Sequence, residues 1–177
     1  MTLPILTALP GERRGYVDGP EGQLHYRSLG EGAPVVLVHQ APWASIQFRH
    51  VLPMLARSGY RAIALDLPAH GMSDPPARPG IEVYAAAIGA LIEQLHLAPA
   101  VVIGHRGGGL AAGHLSAERP ELVAGLVLDN APLLDAAERE ARVGRFADDQ
   151  QIAPDGSHFA DRSEEHTSEL QSHLNLV

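Results

Sequence analysis

The residues best suited to chemistry lie in Gly104-His105-Arg106-Gly107-Gly108-Gly109, which follows the apolar run Ala100-Val101-Val102-Ile103 and opens a helical segment. Strand, sharp turn and helix form the context of a Gly-x-Ser-x-Gly elbow, where the central residue takes a strained conformation and presents a nucleophile. Side chains two positions away would collide there, and Gly104 and Gly108 provide that relief. Gly107 can offer a backbone N–H to an oxyanion. The central residue, however, is Arg106, and a guanidinium stays protonated with no electron pair for attack. It also sets a cation at a helix N-terminus, unfavourable by about 0.3–1 kcal/mol. His105 reads as a packed elbow residue, with a catalytic base as the other reading. Asp129, closing a later apolar run with Asn130, either caps the next segment or supplies a catalytic carboxylate.

Other chemistries are excluded by what the chain lacks. It has no Cys, so no disulfide, thiolate zinc site or cysteine nucleophile. No two histidines have i, i+4 spacing with a third ligand, and no metal is expected. The triple glycine lacks the Gly-x-Gly-x-x-Gly spacing, and all 13 basic residues are Arg, so no P-loop lysine exists. No cofactor is expected. A formal charge of −8 without a basic block argues against nucleic acid and anionic membranes, leaving a small molecule as the expected partner. No apolar run approaches the roughly 20 residues of a membrane helix. The first ten residues lack a basic stretch and are broken by Pro4 and Pro10, unlike a signal peptide, so a cytoplasmic location is expected.

The elements that must position these residues alternate in type. Gln23–Ser28 alternates polar and apolar residues, predicting a half-exposed strand. Pro34–His39, Arg61–Asp66, Ala100–Gly104 and Leu122–Leu128 are short apolar runs that predict buried strands. Phe48, Val51, Leu52 and Leu55 predict a helix ended by Gly59, with Pro53 imposing a kink or a late start. Ile81, Tyr84, Ile88, Leu91, Ile92 and Leu95 make one helical stripe. Another helix runs from about Gly107 to Glu118, stopped by Pro120, and a charged one, lid-like in composition, covers Leu133–Phe146. Such alternation predicts an α/β fold: a doubly wound, mostly parallel sheet with helices on both faces.

Three segments in order resemble the α/β-hydrolase family. His39-Gln40-Ala41-Pro42 resembles its His-Gly-x-Pro oxyanion loop. Asp66-Leu67-Pro68-Ala69-His70-Gly71-Met72-Ser73 resembles its Asp-Leu-Pro-Gly-His-Gly-x-Ser segment, and the elbow follows. The match covers about Gly15 to Pro132. The resemblance implies oxyanion or substrate binding at Gln40, Ala41 and Gly107, an elbow shaped by Gly104, His105 and Gly108, and a nucleophile where Arg106 stands. Gln40 replaces the family's glycine and crowds the loop, while His39 is expected to hydrogen-bond loop backbone and His70 to be structural. The family's catalytic His follows an eighth strand, and its acid usually a seventh. Neither is recognisable here, and Asp129 is the possible acid position.

Beyond Ala160 the chain has no Ala, Gly or Pro, although it is rich in them before. Arg162–His173 resembles one reading frame of a sequencing adapter, so residues 162–177 read as a non-native tail on a partial hydrolase domain, 1–161. That domain is expected to stop after about its sixth strand and the start of a lid. Two functions are open. An intact parent would cleave a small ester, halide or C–C bond, this chain being inactive. Alternatively the chain is a non-catalytic relative in which Arg106 holds an anionic ligand.

Overall fold

The computed structural model describes residues 8–132 together with 137, 138 and 140. The chain divides into two compact units, Met1–Leu133 and Leu134–Val177, and every element named here belongs to the first. In the second, Ala137, Glu138 and Glu140 are helical. The rest of the expected lid helix and the tail 162–177 lie outside the described residues.

Six strands make one sheet: β1 (Arg13–Gly19), β2 (Gly22–Leu29), β3 (Ala33–Val38), β4 (Tyr60–Leu65), β5 (Ala100–His105) and β6 (Val123–Asp129), in the order β1-β2-β4-β3-β5-β6. The four apolar runs are parallel, and β1 and β2 add an antiparallel margin. Helices α1 (Val51–Arg57), α2 (Ile81–Gln94) and α3 (Gly107–Glu118) fill the crossovers. Alternation along the central strands sorts the core into two layers. Val36, Val38, Ile63, Leu65 and Val102 pack with Ile88, Leu91 and Leu115 of α2 and α3. Val35, Leu37, Ala62 and Ala64 face the other way, onto Phe48 and Leu52.

Three expectations need correction. Strand β1 was not apparent from the pattern, because only Val17 among its residues is buried. Strand β2 is more buried than its alternation predicts, since it lies between β1 and β4; its polar His25 pairs with Asp66 and its Arg27 reaches Glu12 through one terminal guanidinium nitrogen. Phe48 and Leu52 share a core layer but not a helix: Ser45–Phe48 is a separate 3-10 turn. Pro53 accordingly sits in the first turn of α1, where its missing N–H has no intrahelical use.

The chain leaves β3 for β4 on one side, while β5 flanks its other side. This reversal is the topological switch point, where open α/β sheets hold ligands at the carboxyl ends of their strands.

Among the described residues β6 pairs only with β5, and Val127 and Leu128 are 47% and 39% exposed. An apolar edge is a template for intermolecular pairing. The purified chain is therefore expected to self-associate, and Val127→Lys to lower its mass in light scattering; a monodisperse monomer contradicts this.

Candidate active site

The turn between β5 and α3 carries its strain on one residue. Arg106 has φ 48° and ψ −114°, a conformation costing a non-glycine residue about 1–3 kcal/mol. Close packing makes it obligatory. A Cβ on Gly108 would lie 2.4 Å from the His39 carbonyl oxygen and 2.5 Å from that of Val38. One on Gly104 would lie 2.5 Å from Gly109 Cα. The helix thus starts directly against the end of β3, as the flanking glycines predict. Gly107 has open space around it and its N–H in the first turn, where helix donors lack intrahelical partners.

Opposite the elbow, the loop after β3 is held by buried polar groups. His39 is fully buried; its Nδ1 lies 2.9 Å from the Gln40 carbonyl oxygen, and its Nε2 accepts the Leu67 N–H at 3.0 Å. Both contacts require the neutral Nδ1–H tautomer. Burial pushes the imidazole down to about 4, aided by His70, against the opposing effects of the Gln40 carbonyl and Asp66. Asp66 follows β4 directly as a buried carboxylate. Its Oδ1 accepts the Ser45 N–H at 2.6 Å, and its Oδ2 takes His25 Nδ1 at 2.8 Å and the Met72 N–H at 3.0 Å. Burial alone would raise its pKa, but these hydrogen bonds outweigh that and hold it at about 2. Ser73 Oγ donates to the Asp66 carbonyl oxygen at 2.6 Å and accepts the His25 N–H at 2.9 Å. Sequence pattern missed the role of Asp66; an acid closing an apolar strand before a turn-rich loop was the available signal.

Between loop and elbow opens a cavity of about 580 Å³ lined by Gln40, Trp43, Ile46, Gln47, Arg49, His50 and His105. Of the sequence-derived site residues, Gln40 and His105 line it. Ala41 is exposed on the loop, joined to Pro42 by a cis bond, and neither it nor Gly107 is part of the lining. Asp129 stands opposite His105 in the β5–β6 register. Its carbonyl oxygen accepts the Arg106 N–H at 2.8 Å, and its Oδ2 lies 2.7 Å from His105 Nδ1. Among the described residues no His, Asp and Glu cluster is arranged to hold a metal, and no helix is long and apolar enough to cross a membrane.

A switch-point cavity beside a strained strand-to-helix elbow defines a hydrolase-type scaffold. Comparison with known proteins agrees: the profile of the alpha/beta hydrolase fold matches residues 33–173. A bifunctional epoxide hydrolase of Rattus norvegicus is 30% identical over 75% of this chain and 24% of its own length. A haloalkane dehalogenase of Mycobacterium marinum is 35% identical over 69% of this chain and 43% of its own. Among solved structures, an epoxide hydrolase from an endophytic Streptomyces superimposes with TM-score 0.65 at 33% identity, covering 68% of this chain and 37% of that one. The chain belongs to the α/β-hydrolase family. It spans less than half the length of these relatives.

Two outcomes follow from this geometry. Gly108→Ala is expected to lower stability by about 2 kcal/mol or more in denaturant melts, because backbone carbonyls cannot retreat from the new methyl. Gly107→Ala, in open space, should be neutral or slightly stabilising. For pH, the folded His39 value lies below the ordinary 6.5, so the unfolded chain binds more protons between about 4 and 6.5. Stability is therefore fully present above 6.5 and falls as pH drops to about 4, by on the order of 3 kcal/mol from this residue. Asp66 extends the loss toward pH 2. Melts of His39→Gln should show a shallower decline across the upper window.

Proposed function

We propose that this chain carries the small-molecule pocket of an α/β-hydrolase but forms no covalent intermediate, and so is inactive by the family's usual route. The observation that carries the reading is Arg106 at the strained centre of the elbow, where the family presents Ser, Asp or Cys. Its relatives are named for epoxide and haloalkane hydrolysis, which supports a small substrate with a C–O or C–halogen bond for the intact parent, beside the ester and C–C cleavage the fold also serves. The hydroxyl of Ser73 is committed to Asp66 and His25 rather than to attack. A second reading, an anion-binding relative, draws support from Arg49 and His50 in the cavity wall close to the elbow.

Intact-mass spectrometry after fluorophosphonate treatment should show no adduct, since the reagent needs an activated hydroxyl. Arg106→Ser alone should also remain unlabelled, because among the described residues no second base is aimed at position 106. Stoichiometric labelling of the unmodified chain would mean that another hydroxyl has been recruited. Reading the genomic locus is expected to show a codon for a nucleophile at position 106 and a continuation bearing the distal His in place of residues 162–177.

A further inference from the structure

We propose that His105 and Asp129 form a general-base pair that hydrolyses small activated esters slowly, by direct attack of water. The proposal rests on the reading above only for the cavity's being a small-molecule site. It assigns a catalytic role to His105, the one cavity-lining residue that belongs to the elbow.

Three observations carry it. Asp129 Oδ2 lies 2.7 Å from His105 Nδ1, so the carboxylate accepts the Nδ1–H and leaves the lone pair on Nε2. Parallel pairing puts His105 opposite Asp129, and the Arg106 N–H bonds the Asp129 carbonyl oxygen at 2.8 Å, so main chain as well as side chain sets the pair's geometry. The His105 ring forms part of the wall of a cavity of about 580 Å³ that also presents Gln40 and the apolar Trp43 and Ile46. A packed residue serving only the elbow would not need to line that space; the His105 side chain is 24% exposed.

The chemistry balances with water as the only co-reactant. Water oxygen bonds to the ester carbonyl carbon as its proton passes to His105 Nε2, and the carbonyl π pair moves onto oxygen. Collapse of that tetrahedral species re-forms the carbonyl and breaks the bond to the alcohol oxygen, which leaves with the proton returned by His105. Asp129 stabilises the transient imidazolium and is not itself protonated. Among the described residues, the other charged groups near the pair are Arg106, next in sequence, and Arg49 and His50 in the cavity wall. No bond to the protein forms, so Arg106 is no obstacle.

The test is hydrolysis of p-nitrophenyl acetate by the full chain, with intact mass followed during turnover. Saturable, burst-free release is expected. His105→Gln should lose about 100-fold. Asp129→Asn should lose less, since the amide still holds the ring but carries no charge to stabilise the transient imidazolium. His114→Gln, on the far part of α3, should retain the rate. An unchanged rate in His105→Gln, or an acetyl adduct on the protein during turnover, overturns the proposal. Should His105→Gln fail to fold by circular dichroism, imidazole 15N spectra of the unmodified chain decide: at pH 8 His105 must carry its proton on Nδ1, and the opposite tautomer overturns the assignment. A fluorophosphonate adduct elsewhere would instead sink the non-covalent reading of the elbow while leaving any dependence on His105 intact.

Discussion

One buried carboxylate organises the ligand end of this molecule. Asp66 leaves the sheet at the end of β4 with almost no access to water, and an ionised carboxylate there is tolerable only if donors surround it. Those donors come from three stretches of chain: His25 from β2, Ser45 from the loop after β3, and Met72 from the loop after β4. The oxyanion-type loop is consequently tied to the antiparallel margin of the sheet. His39 completes the arrangement by bridging the Gln40 carbonyl and the Leu67 N–H as a neutral ring. Loops that wall the cavity are thus positioned by charge desolvation and its remedy together with the apolar anchoring of Phe48.

The elbow depends on a different force, plain steric exclusion. With α3 starting against the carbonyls of Val38 and His39, any side chain at Gly108 meets backbone, and the turn has to be made by the residue at 106 whatever its chemistry. Arg106 therefore inherits a strained backbone made for a nucleophile without being one. The strained turn is set by packing and the side chain it carries is set separately, which is the sense in which fold alone does not specify activity. Next to that position lies the His105–Asp129 contact, created by the register of two parallel strands.

Much of the fold was legible from the sequence. Apolar runs located the four parallel strands, and Gly107–Glu118 was delimited by its glycines and Pro120, because buried strands and helix stops have strong local signatures. The close approach at Gly104 and Gly108 was also implied by their spacing around Arg106. Strand β1 was not legible, since a marginal strand with one buried residue carries little apolar periodicity. The burial of His25 and Arg27 was hidden for the related reason that polar residues look exposed until their partners, Asp66 and Glu12, are known.

Sequence by itself determined the order of the four parallel strands along the chain, the position of the elbow and the absence of a nucleophilic side chain there, all properties of neighbouring residues. Only the tertiary structure decided which distant residues meet. It placed Trp43, Gln47, Arg49 and His50 around one cavity with His105, and it set Asp129 within hydrogen-bond distance of that ring. Those contacts bridge residues far apart in the chain, and their geometry depends on sheet order and register, which no local pattern encodes.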